Sequence, residues 1–263
     1  DPDHWLLLAQ DKTGYENLMS LISEGYLLGD GGDPAVAFDA LEGRTEGLIA
    51  LDGAGGSPLS RHLLDGSSMV ETHLEAMKSL FDGRLYLELQ RHGQSFERVL
   101  EPRVLKLASA HNLPIVATND AHFSTADQFD AHDVLSCIAQ GVTLSHRDRK
   151  RLTPEHYFKT SQDMARLFSD LPEAVENTWR IAQRCAVMPR LHDPILPAFD
   201  DGTGENEGQM LTRMAKEGLQ HRLNALEPAP DAELEKTYRN RLDFELNVIE
   251  QMGFPGYFLI VAD

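Results

Sequence analysis

An α/β fold is predicted for this 263-residue chain. Short runs that are almost wholly apolar recur along it, and helical patterns stand between them. With 41% hydrophobic and 25% charged residues, it has the balance of a chain with a buried core. The runs are 5–9 (WLLLA), 47–51 (GLIAL), 85–89 (LYLEL) and 114–117 (PIVA). Helices between strands predict parallel pairing, and nearly continuous apolar strands predict a sheet covered on both faces.

Helices are expected at about 13–24, 68–81 and 96–110. In the last, Phe96, Val99, Leu100, Val104, Leu107 and Ala108 form one stripe. Ser95 suits its N-cap, but Pro102 fits only a first turn, so a start near Glu101 is expected. Asn112 followed by Pro114 is a stop signal. Further helices are read at 125–139, 161–169 and 172–187. Thr160 with Asp163 resembles a capping box, and Val175, Trp179 and Ala182 form a stripe. The Pro-, Gly- and Asp-rich segment 188–205 is the expected boundary. Beyond it two helices are read, 207–225 and 232–252. Leu242, Leu246 and Ile249 share a face of the second, and Gly253 closes it.

The formal charge is −18, and the first 60 residues hold eleven acids against Lys12 and Arg44. Such a face repels polyanionic DNA, so any grip on nucleic acid is expected elsewhere. The one basic cluster, HRDRKR at 146–151, reads as a solvated loop. No run of about 18 apolar residues exists, so no membrane span is expected. Cys137 and Cys185 fall in expected helices among apolar neighbours and read as buried thiols of a reducing, cytoplasmic protein. The chain starts DPDHWLLLAQ without Met or a signal peptide and stops in the apolar run GFPGYFLIVAD, which predicts a segment cut from a longer chain.

The expected chemistry lies at strand ends. Asp120 and His122 stand on alternate residues where the fourth strand stops, so extended backbone points them the same way. Carboxylate oxygen and imidazole nitrogen both suit zinc or manganese. Such a pair is either ordinary loop polarity or part of a metal site. His4 stands just before the first strand. Glu88 lies in the third strand and His92 follows it, in LYLELQRHG, and a carboxylate inside an apolar strand must be paired, hydrogen-bonded or coordinated. His132 and Asp133 lie on a helix within possible reach of a site. His62, His73, His111, His146, His156, His192 and His221 show no spacing that favours one and read as surface polarity. GxGxxG, P-loop, GxSxG and HExxH patterns are absent. The glycine-rich GDGGD (29–33) and DGAGG (52–56) read as turns, neither leading into a phosphate-binding helix.

Several longer segments together carry a resemblance: HWLLLAQDKTGYENLMSLIS, GLIALDG, YLELQRHG, VATNDAHF, HDVLSCIAQGVTL, ENTWRIAQRC and NVIEQMGFPGYFLIVAD. In this order they resemble the alpha subunit family of bacterial DNA polymerase III, of the replicative rather than the error-prone type. The resemblance implies an incomplete seven-stranded β/α barrel of the polymerase-and-histidinol-phosphatase (PHP) kind over 1–195. Over 196–263 it implies a linker and a mostly helical lead-in to the polymerase palm. It implies that His4, Asp120 and His122 match metal-ligand positions, with Glu88 and His92 supporting them. The family often carries Cys where Ala54 stands, and alanine cannot ligate a metal, so the inherited site has lost a donor.

The resemblance further implies a zinc or manganese ion in the PHP site, and magnesium held by palm aspartates that would lie beyond Asp263, leaving this segment without polymerase catalytic residues. The expected partners of the parent protein are DNA template-primer, dNTPs, a proofreading exonuclease subunit, the sliding clamp and the clamp loader, with no membrane. Two readings of the PHP part stay open. One is a structural module that supports the palm and docks the proofreading exonuclease. The other is an active metal-dependent 3′–5′ exonuclease or phosphoesterase. A free-standing amidohydrolase-like or histidinol-phosphatase-like enzyme is disfavoured by the palm-like C-terminal helices.

Overall fold

A computed structural model describes residues 3–28, 34–146, 149, 151–192, 197–200 and 202–262. The chain falls into two compact units, Asp1–Met188 and Pro189–Asp263. In the first, β1 (Leu6–Ala9), α1 (Lys12–Leu27), β2 (Leu48–Asp52), α2 (Pro58–Asp65), α3 (Met69–Leu80), β3 (Leu85–Leu89), α4 (Glu97–His111) and β4 (Ile115–Ala117) are followed by α5 (Phe129–Gln140), α6 (Ser161–Leu167) and α7 (Pro172–Arg184). Among the described residues the sheet has four strands in the order β1-β2-β3-β4, where the resemblance implied seven.

The sheet is mixed. β2, β3 and β4 run parallel as expected, but β1 is antiparallel to β2, with Leu6 opposite Leu51 and Ala9 opposite Leu48. Short apolar strands carry no mark of direction, so the expected all-parallel pairing fails at this strand. As a result the residues before β1 lie beside those that leave β2.

Both faces of the sheet are covered, in keeping with its apolar strands. Leu48, Ala50, Leu85, Leu87, Leu89, Ile115 and Ala117 pack on one side against Leu74, Met77 and Phe81, with Leu100, Val104 and Phe168 in the same core. On the other side Ile49, Leu51, Tyr86 and Val116 pack with Ile181 and Leu8. Alternation along the strands sorts these residues, and the same alternation places Glu88 on the Tyr86 side.

Several expectations about helices need correction. α2 was hidden behind the DGAGG turn. Ser57 caps it by accepting from the Ser60 N–H at 3.2 Å, Pro58 occupies its first turn, and Gly66 ends it at φ +65°. α4 begins at Glu97, with Phe96 rather than Ser95 at the N-cap position and no side-chain cap there, and carries Pro102 inside. The buried Glu97 side chain fixes this first turn by accepting from the backbone N–H groups of His92 and Gln94, so the helix forms ahead of its proline. Val99 of the expected stripe is 46% exposed. Asn112 does end the helix, in the left-handed region at φ +51°.

In α7 the buried residues are Ala174, Asn177 and Ile181, while Trp179 is 66% exposed. The Asn177 amide donates to the Ile115 carbonyl of β4 at 2.8 Å, and this sets the helix rotation against the expected Val175–Trp179–Ala182 stripe. Cys185 lies just past the helix and is half-buried, whereas Cys137 is buried in α5. The capping box at Thr160 and Asp163 is present. The expected helix at 125–139 is instead a 3₁₀ turn, 126–128, followed by α5.

In the second unit α8 (Glu207–Asn224), α9 (Ala232–Gln251) and α10 (Pro255–Ala262) form a helical cluster in which α8 packs against both others. Leu246 is its buried residue on α9, and Gly253 follows that helix at φ +74°. The GDGGD turn lies outside the described residues, as do 147, 148 and 150 of the basic cluster and parts of the expected boundary, 193–196 and 201. Among the described residues no helix is long and apolar enough to cross a membrane.

Candidate functional site

The C-terminal ends of β2, β3 and β4 and the start of β1 meet at one edge of the sheet. His4 reaches it because β1 is antiparallel. Its N–H donates to the Gly56 carbonyl at 3.0 Å. Asp3, one residue earlier, is clamped by the Arg61 guanidinium of α2 at 2.9 and 2.6 Å. The loop leaving β2 is held by Ser57, whose Oγ accepts from the Gly53 N–H at 3.0 Å. Ala54, with its apolar methyl group, faces a cavity of about 10 Å³ that Glu88 and Glu97 also line.

Beyond β4, the Asp120 and His122 side chains meet, Oδ2 to Nε2, at 3.0 Å, and both are substantially solvent-exposed. The backbone of this short loop is pinned twice. The Asp120 N–H donates to His92 Nε2 at 3.2 Å, and the His122 N–H donates to the His156 carbonyl at 2.8 Å. Asp120 and His122 are thus brought together. His4 stands over Gly56, and among the described residues no three His, Cys, Asp or Glu side chains are gathered to hold one metal ion. A carboxylate and an imidazole of suitable chemistry converge there as a pair. Two such donors without a third beside them are an incomplete ligand set, and no catalytic step follows from it.

Glu88 is 5% exposed. The Thr118 hydroxyl and the Gln90 amide, the latter at 3.2 Å, both donate to its Oε1. Burial pushes its carboxyl above the ordinary range; these two hydrogen bonds pull it down, and the charges of Asp52 and Asp120 push it up again. His92 is 2% exposed and lies stacked on His156, ring centroids 4.0 Å apart. Its Nδ1 is 3.1 Å from Glu97 Oε1, and both Glu97 oxygens accept from the His92 backbone N–H. Burial alone would raise the Glu97 carboxyl, but these hydrogen bonds outweigh it and hold it below the usual range.

Two histidines read as exposed are drawn inward here, His156 fully and His73 in part. His156 is 4% exposed, and burial first, then the neighbouring His92, lowers it to about 4. Thr153 and Glu155 around it give no periodic signal in the sequence. His73 on α3 is half-buried and sits 2.7 Å from Asp52 at the end of β2, with Trp5 stacked over it. This one was legible, because Val70, His73, Leu74 and Met77 have the spacing of an inward helical stripe. Asp133 is drawn away from the site into ion pairs with Arg149 and Arg151, while His132 lies 5.5 Å, ring to ring, from His122. Arg149 of the basic cluster is therefore tied down, while Arg151, though paired, stays exposed as expected of a solvated loop.

Residues 1–92 match the family described as the PHP domain, and residues 209–263 match the family described as the bacterial DNA polymerase III alpha NTPase domain. Proteins named DNA polymerase III subunit alpha are similar along almost the whole chain. The one from Caulobacter vibrioides is 44% identical over 98% of this chain, that from Escherichia coli K12 42% over 99%, and that from Pseudomonas aeruginosa 41% over 98%. The chain spans about a fifth of these relatives, 22%, 23% and 22% of their lengths.

Proposed function

We propose, from the homology of this chain along nearly its whole length to DNA polymerase III alpha subunits, that it serves as part of a replicative DNA-directed DNA polymerase. That similarity is the observation that carries the reading. In it, 1–195 is a PHP-type domain whose four-stranded sheet belongs to a seven-stranded barrel, and 196–263 leads into the palm. The whole protein would extend a DNA template-primer with dNTPs and magnesium in the cytoplasm, alongside a proofreading exonuclease subunit, a sliding clamp and a clamp loader. The full-length protein is expected to extend a primed template; one that binds the template and dNTPs yet incorporates nothing would overturn the assignment.

Within that protein the PHP unit supports the palm and docks the proofreading exonuclease. Ala54 in place of a donor, and the acidic first 60 residues, favour this reading over an active phosphoesterase. The intact Asp120–His122 pair favours the second reading, a metal-dependent 3′–5′ exonuclease. Both readings give Asp120 and His122 a divalent ion, zinc or manganese; His4 is the third candidate ligand by its match to the family, although it is not gathered with the pair among the described residues. Such an ion would supply Lewis-acid chemistry at a phosphodiester. Purified full-length protein is expected to retain about one zinc or manganese ion per chain, and Asp120→Asn to bind it at least about tenfold more weakly. Equal metal content in both would remove the pair from the site.

A further inference from the structure

We infer that His92 is a positioning residue that is locked in one tautomer and aims the Asp120-x-His122 segment; this rests on the reading of that pair as a metal-holding site. Every polar atom of His92 is engaged within the protein. Its N–H donates to Glu97, its carbonyl accepts from the Thr153 hydroxyl at 2.6 Å, and its two ring nitrogens face partners of opposite kind. The carboxylate of Glu97, 3.1 Å from Nδ1, can only accept. The backbone N–H of Asp120, 3.2 Å from Nε2, can only donate. Both contacts demand the same form, with the proton on Nδ1 and the lone pair on Nε2.

The chain of contacts has a direction. Glu97 is anchored by the His92 and Gln94 backbone N–H groups, at 2.9 to 3.0 Å. It orients the ring, and the ring holds the amide of Asp120. Two residues on, the His156 carbonyl holds the amide of His122. The side chains of Asp120 and His122 are 53% and 39% exposed, so packing does little to aim them. Their approach to 3.0 Å is set by these two backbone pins. His92 Nε2 is occupied by this duty, so His92 acts through Asp120 and is not itself a ligand.

The test uses ¹⁵N-labelled protein of the full chain and zinc ion as the probe. A scalar coupling across the hydrogen bond between the Asp120 amide nitrogen and His92 Nε2 is expected, with the His92 proton on Nδ1. His92→Phe keeps a ring against His156 but removes both nitrogens. It is expected to weaken zinc binding by about tenfold, and His92→Gln, whose amide oxygen can accept from Asp120, to recover part of the loss. Absence of the coupling, or a His92 proton on Nε2, overturns the inference even where the Phe variant fails to fold. So does an unchanged zinc affinity in a folded His92→Phe variant. If the coupling is present but the wild-type protein binds no zinc, the metal reading of Asp120 and His122 fails while the pinning of their backbone stands.

Discussion

Replacing Glu97 by alanine is expected to destabilise the first unit by about 3–5 kcal/mol. The side chain looks like an ordinary acid in the first turn of a helix, where the helix dipole contributes only about 0.3–1 kcal/mol. Its real work is elsewhere. One carboxylate accepts from the His92 N–H, the Gln94 N–H and His92 Nδ1, all within 3.1 Å, and the residue is 8% exposed. Alanine would strand these donors. The cavity beside Ala54, about 10 Å³, has room for roughly one water molecule, while Glu97 also lines a wider, open pocket of about 530 Å³. A buried donor left without a partner costs about 1–3 kcal/mol, and here there are three. The same substitution would loosen the start of α4 ahead of Pro102. Glu97→Gln, which keeps one acceptor oxygen, is expected to lose less than half as much. Urea unfolding followed by tryptophan fluorescence is the measurement. Trp5 and Trp179 both lie in the first unit, so the signal reports that unit alone. A loss below about 1 kcal/mol would mean that water replaces the carboxylate freely, contrary to the packing described here.

What the sequence reveals and what it hides follow from physical range. Periodicity is local, so the four strands and most helices are visible from residues a few places apart. Direction and rotation are not local. The antiparallel β1 is chosen by partners about forty residues away, and the rotation of α7 by one hydrogen bond from Asn177 to Ile115. The site divides in the same way. Asp120 and His122 are visible as a pair because extended backbone aims alternate residues together. Glu88 is visible as a polar residue that an apolar strand must satisfy. His156 is not, because its burial depends on a loop folding back over His92, and nothing in LTPEHYF marks that. α4 shows the opposite case. Pro102 is a true local signal for a late helix start, and it is overruled by a carboxylate that ties the helix to the preceding loop.

His156 gives the second large effect, as a dependence of stability on pH. Burial disfavours its charged form, as do His92 stacked on it and His122 nearby. The charges of Asp120 and Glu97 act the other way but do not prevail, and the imidazole falls from 6.5 to about 4. Between these values the unfolded chain binds a proton that the folded chain refuses. Stability is therefore full above about pH 6.5 and lost as pH falls towards 4, by an amount on the order of 3 kcal/mol. Glu88 works against this trend. Its raised carboxyl takes up a proton in the folded state above 4.5, so it stabilises on acidification. Glu97, held low, gives up its contribution only below 4.5. The wild-type profile mixes all three, and the difference between wild type and His156→Gln isolates one. The glutamine variant is expected to be less stable at pH 7, where the packed neutral ring is lost, and to show a shallower fall from pH 7 to 4.5. Parallel profiles would show that His156 is protonated as easily in the folded protein as in water, and so is not enclosed between His92 and the Asp120 loop. Convergence of the two profiles as pH drops would tie acid sensitivity to the residue whose carbonyl holds the amide of His122.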